Sequence, residues 1–150
     1  MKSVSARSAD LSGAHVSRTP EETEALAERL AASLRPGDRV ALCGPLGSGK
    51  TTFVRGLARG LGLDPDSVHS PTFTRVHRYH GSVTLAHADL YRVDTAEGYA
   101  ELGLEDDEES IQVLEWGDRL PPGVPPPRVR IDFEPGPTDD ERRITISEIP

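Results

Sequence analysis

The sequence predicts a single α/β domain in which buried strands form a parallel sheet flanked by helices, and three observations predict it. The chain has 150 residues, which suits one core rather than two. Short unbroken apolar runs such as Val40-Ala41-Leu42-Cys43 have the pattern of strands covered on both faces of a parallel sheet. Between such runs lie segments whose apolar residues recur at helical spacing. Hydrophobic residues make up 35%, enough for such a core, while aromatics at 5% leave little for a sandwich built on aromatic pairs.

Taken in order, Met1–Ala14 is polar, small and aperiodic and is expected to be a flexible tail, leaving residues 15–150 as the domain. His15–Arg18 reads as a short strand. Thr19 is an N-cap, Pro20 sits at the first helical position and Glu22 completes a capping box. Leu26, Ala27, Leu30, Ala31 and Leu34 then form one apolar stripe, which Pro36-Gly37-Asp38 ends. After the Val40–Cys43 strand comes a glycine-rich turn, Gly44–Gly49, and a helix from about Lys50 to Leu61 with Phe53, Val54, Leu57, Ala58 and Leu61 inward. Thr72–His80 and Val83–Leu90 read as a hairpin about His80-Gly81-Ser82. Ala96–Leu104 is a short helix, Glu105–Glu109 a solvated acidic loop, and Ile111–Leu114 a buried strand ending at Glu115-Trp116. A stiff connector, Pro121–Pro127, leads to two closing strands, Val129–Phe133 and Arg143–Ile149.

The composition excludes several classes of function. Lys+Arg 17 against Asp+Glu 25 gives a net charge of -8, so this chain lacks the basic footprint of non-specific nucleic-acid binding and of a polybasic membrane anchor. One cysteine, Cys43, cannot form an internal disulfide, and a reducing, cytoplasmic setting fits. No apolar run approaches the roughly 18 residues of a membrane span, and the polar N-terminus has no signal-peptide core. The basic residues are arginines except Lys2 and Lys50. Lys50 therefore marks a site where an ammonium on a flexible stem is wanted and a planar guanidinium is not.

That lysine closes a phosphate-binding motif. Gly44-Pro45-Leu46-Gly47-Ser48-Gly49-Lys50-Thr51 matches G-x-x-x-x-G-K-[ST], between the strand and helix that the motif requires. The glycines let successive backbone N–H groups turn inward as an anion nest at a helix N-terminus. Lys50 is placed to reach the β- and γ-phosphates, and the Thr51 hydroxyl to ligate Mg²⁺. The metal also needs a carboxylate at the end of a neighbouring strand, and two are available, Asp89 and Glu115. His87 shares a strand face with Asp89; lacking a third ligand at metal spacing, it reads as a packing or hydrogen-bonding histidine.

Four blocks give the chain a further resemblance. They are Gly44–Gly56 (GPLGSGKTTFVRG), Ser70-Pro71-Thr72-Phe73-Thr74, His87-Ala88-Asp89-Leu90-Tyr91-Arg92 and Leu114-Glu115-Trp116, with Glu101-Leu102-Gly103-Leu104 between the last two. In this order they resemble the bacterial tRNA threonylcarbamoyladenosine (t6A) biosynthesis ATPase family, TsaE, over about residues 15–135. The resemblance implies a P-loop NTPase fold with a mixed, mostly parallel sheet flanked by helices. It implies ATP hydrolysis with Mg²⁺ alongside the family's TsaB and TsaD partners, which install threonylcarbamoyl on adenosine 37 of tRNAs reading ANN codons. This chain would then reach tRNA only through that complex. The resemblance makes Thr51 and Glu115 metal ligands and Asp89 an acid near the metal or the attacking water. Ser70, Pro71 and Thr72 become a switch-like segment sensing the γ-phosphate, Trp116 a neighbour of the nucleotide, and Gly44–Thr52 with Thr19 and Pro20 the nucleotide contacts. The chain departs from the family in having Pro45 where an acid is more usual, and Gly117-Asp118 after the Glu-Trp pair in place of Pro-Glu.

Two alternatives share the motif. A small-molecule kinase also needs an arginine-bearing lid and an acceptor pocket, for which the sequence offers no clear helix. A nucleotide-gated assembly module would use ATP binding and leave hydrolysis incidental. A GTPase is disfavoured because no N-K-x-D segment is present.

Overall fold

The computed structural model describes residues 11–45, 47–69 and 75–148. Its centre is built from the buried runs that the sequence marks. Strands β1 (Gly13–Ser17), β2 (Arg39–Cys43), β3 (Val76–Tyr79), β4 (Thr84–Asp89), β5 (Ser110–Glu115), β6 (Val129–Pro135) and β7 (Arg142–Glu148) form one sheet in the order β1-β7-β6-β2-β5-β4-β3. The four inner strands, β6, β2, β5 and β4, are parallel neighbours. β3 is an antiparallel margin on one side, and β7 and β1 on the other, so the sheet is mixed and mostly parallel in its middle. Three helices flank it: α1 (Pro20–Ala31), α2 (Lys50–Gly60) and α3 (Ala96–Ala100).

The two faces carry separate cores. On one, α1 and α2 bury Leu26, Leu30, Phe53, Val54 and Leu57 against Leu42, Leu85, Val113, Ile131 and Ile144 of the sheet. On the other, α3 and its flanking turns bury Tyr99, Leu90, Val93 and Leu104 against Ala86, Ala88 and Leu114. The side-chain period of two assigns alternate residues of β4 and β5 to each core. His87 and Glu115 thereby fall on the face shared with α2.

α1 and α2 run in the same direction and pack at a distance set by glycine. A Cβ on Gly56 would stand 2.3 Å from the Glu24 carbonyl oxygen, and one on Gly60 2.7 Å from the Ala31 Cβ. Arg59 adds an ion pair to Glu24 at 2.7 Å. The start of α1 follows its sequence: Thr19 accepts from the Glu22 amide, while the Glu22 carboxylate accepts from Arg18 N–H, one residue before the cap.

Several boundaries differ from the expectation. β1 begins at Gly13, because pairing with β7 from Gly13↔Ile146 extends it, and Leu11 is buried in the core, so residues 11–14 do not behave as tail. β3 spans Val76–Tyr79 rather than Thr72–His80; Thr72–Thr74 lie outside the described residues. α3 stops at Ala100, since the chain tightens into three-residue turns that end at Gly103 with φ +75°. Within the acidic loop, Asp107 is anchored by Ser110 and by Arg78 of β3.

Candidate functional site

The turn that joins β2 to α2 opens at the rim where the parallel strands end. Its last glycine, Gly49, is the N-cap of α2 with φ +104°, a backbone region that L side chains rarely adopt, and no side chain caps the helix. α1 and α3, by contrast, are capped by Thr19 and Thr95. Among the described residues no side chain caps α2, which suits its first turn to an anion. Ser48 is buried in the same turn, and its hydroxyl has no partner among the described residues.

Lys50 is the first residue of α2, and only 5% of it is exposed. Its ammonium donates to the Gly44 carbonyl at 2.8 Å and lies 3.8 Å from the centre of the Trp116 ring. Burial pushes the Lys50 pKa down, against the charges of Glu115, Asp89 and Asp118. Trp116 holds the left-handed conformation at φ +60°, ψ +42°, a strained geometry for a bulky residue. Its ring also packs on Tyr91, centre to centre 5.1 Å. The following Gly117 presses on β2: a Cβ there would stand 2.3 Å from that of Ala41. A side chain at this position would therefore collide with β2.

The carboxylates come from adjacent strand ends. Register places Asp89, the last residue of β4, directly beside Glu115, the last of β5. Glu115 is buried and accepts from His87 Nε2 at 2.5 Å; His87 has no exposure at all. Asp89 accepts from the Tyr91 amide at 2.9 Å, which fixes its turn. Among the described residues no three His, Cys, Asp or Glu side chains cluster as a metal site. Oxygen donors from one hydroxyl and one or two carboxylates, completed by phosphate and water, are the set Mg²⁺ takes.

A cavity of about 320 Å³ is lined by Gly47, Gly49, Lys50, Thr51, Thr52, Glu115 and Arg142. The structure thus brings Lys50, Thr51, Thr52 and Glu115 together, with Asp89 and Trp116 beside them. Thr19 and Pro20 do not line this cavity, although the shared direction of α1 and α2 places them at the same end of the helix pair. Gly44 and Pro45 enter the turn, whereas Leu46, Ser70, Pro71 and Thr72 lie outside the described residues. Asp118, known from sequence only as part of a departure after the Glu-Trp pair, bears on Lys50 through its charge, and sequence gives no sign of Arg142, 94 residues beyond Ser48 in the chain. Nothing local marks Arg142.

Comparison with known proteins bears on this geometry. The family model described as "Threonylcarbamoyl adenosine biosynthesis protein TsaE" matches residues 17–144. The tRNA threonylcarbamoyladenosine biosynthesis protein TsaE of Bacillus subtilis (strain 168) is 39% identical over 133 residues, 87% of this chain and 82% of that protein. The protein of the same name from Streptomyces coelicolor is 41% identical over 138 residues, 81% of this chain and 87% of its own. A crystal structure of Bacillus subtilis YdiB superposes with a TM-score of 0.69 at 32% identity, covering 91% of this chain and 85% of that one.

Proposed function

We propose, from the premise that this chain belongs to the TsaE family of threonylcarbamoyl adenosine biosynthesis proteins, that it binds and hydrolyses ATP with Mg²⁺ in support of tRNA modification. One observation carries the reading: Lys50, Thr51 and Glu115, which bring an ammonium, a hydroxyl and a carboxylate, line a single cavity at the start of α2. Phosphates seated there satisfy the free amides and the positive end of the helix. Lys50 exchanges its Gly44 and Trp116 contacts for the β- and γ-phosphates. A phosphate charge also restores the ammonium that burial disfavours. Thr51 and Glu115, with Asp89 adjacent, would hold the metal, which would supply neutralisation of phosphate charge. His87 fixes the Glu115 carboxylate by donating from Nε2. Asp89, paired in register with Glu115, is the carboxylate this reading assigns to the metal or the attacking water.

TsaB and TsaD are the partners this reading names, and tRNA is reached through them. Among the described residues no helix is long and apolar enough to cross a membrane. The test is calorimetry with ATP and Mg²⁺, followed by co-purification and multiple-turnover modification assays with TsaB and TsaD. A Glu115→Ala protein that binds ATP yet supports no turnover favours hydrolysis as the essential step. Unchanged turnover favours the assembly-module reading, and absence of ATP binding by the wild type removes both.

A further inference from the structure

We propose that Arg142, at the margin of the cavity, is a positioning residue that shapes the phosphate nest by tying down the carbonyls that must face away from the nucleotide. The proposal rests on the nucleotide reading of the site. For amides to converge on an anion, the intervening carbonyls must point outward, and an outward carbonyl needs a donor or water. Arg142, the first residue of β7, supplies that donor twice. Its Nε donates to the Ser48 carbonyl at 3.0 Å and its Nη2 to the Gly47 carbonyl at 3.2 Å. Nη1 donates to the carbonyls of Asp139 at 2.5 Å and Glu141 at 3.0 Å, which anchors the guanidinium to the β6–β7 turn. The Gly49 backbone lies against the same side chain: a Cβ there would be 3.7 Å from Arg142 Nε. Four of the five N–H donors of the guanidinium are thereby engaged by carbonyls. The planar fork is suited to this bridging, and a lysine, with one point charge, is not.

The clamp predicts a signature distinct from that of a direct phosphate contact. Binding of ADP and ATP falls by the same factor, about tenfold, when Arg142 becomes Gln, because the nest serves both nucleotides. Arg142→Lys recovers only part of that loss. In nucleotide-free protein, amide hydrogen exchange across the Gly47–Gly49 segment accelerates in Arg142→Gln, while the β1–β7 pairing keeps its protection. A loss confined to ATP overturns the proposal in favour of γ-phosphate contact. Full recovery by Lys, unchanged affinity, or unchanged exchange across Gly47–Gly49 also overturns it. If the wild type binds neither nucleotide, the nucleotide reading has failed, and the exchange comparison still decides whether Arg142 orders the turn.

Discussion

Replacing Lys50 by Met should separate binding from stability. The ammonium makes a 2.8 Å charged hydrogen bond to the Gly44 carbonyl and a contact 3.8 Å from the Trp116 ring centre. Such contacts contribute about 1.5–3 and about 0.5–2 kcal/mol. Against them stands the cost of burying the charge, several kcal/mol for an ion removed from water. The lowered pKa shows the sign: the native state holds this proton less tightly than the unfolded chain, with its ordinary value of 10.5. Stability from this group therefore increases as pH rises from the depressed pKa towards 10.5, and at neutral pH the ammonium is a cost to the fold. A thioether on the tryptophan regains part of the packing. The opposing amounts leave the unfolding free energy of nucleotide-free Lys50→Met within about 1 kcal/mol of wild type. ATP binding has no such offset, and loss of the charged phosphate contacts costs about 3 kcal/mol, roughly 100-fold in Kd. Calorimetry with ATP and Mg²⁺, paired with denaturant unfolding of the free protein, reads both quantities. Unaltered ATP affinity would refute the placement of phosphate at α2, and a large loss of stability would refute the account of the buried charge.

Three other substitutions or conditions test the fold around the site. Gly56→Ala gains about 1 kcal/mol of helix propensity but forces a Cβ to 2.3 Å from the Glu24 carbonyl oxygen, so a net loss of about 1–2 kcal/mol is expected in thermal unfolding. Burial pushes the thiol of Cys43, the single cysteine, up to about 11, so iodoacetamide at pH 8 should label the folded protein far more slowly than the unfolded chain; equal rates would contradict that burial. Burial favours the protonated form of Asp107, but bonds from Ser110, the Glu109 amide and Arg78 outweigh it and hold its carboxyl below 3.8. Its contribution is thus present above pH 3.8 and lost as pH falls through the depressed value, and Asp107→Asn should flatten that limb of the acid-unfolding profile.

What the sequence reveals of this site is what lies close together along the chain. Gly44 to Thr52 is a strand, a turn and a helix start in one stretch, and the cap at Thr19 needs only the next three residues. The neighbours Asp89 and Glu115 are legible as strand ends, but their adjacency is a matter of register between β4 and β5. The bond from His87 to Glu115 spans 28 residues, and that from Arg142 to Ser48 spans 94. No periodicity or motif encodes such distances. Gly13 reads as tail for the same cause, since what holds it is β7, at the other end of the chain. The left-handed Trp116 is illegible for a different reason: nothing in its residue type favours that backbone, and the packing of Gly117 on Ala41 accompanies it.

The glycine-set packing of α1 on α2 has an electrical consequence. Two helices lying side by side and pointing the same way set like partial charges next to each other at both extremities. At the leading extremity, α1 brings Glu21 and Glu22 with its threonine cap, whereas α2 begins with a lysine and has no acid in its first turn. The mutual repulsion of the pair is thus left uncompensated on the α2 side alone, and a polyanion arriving there lowers the energy of both helices at once.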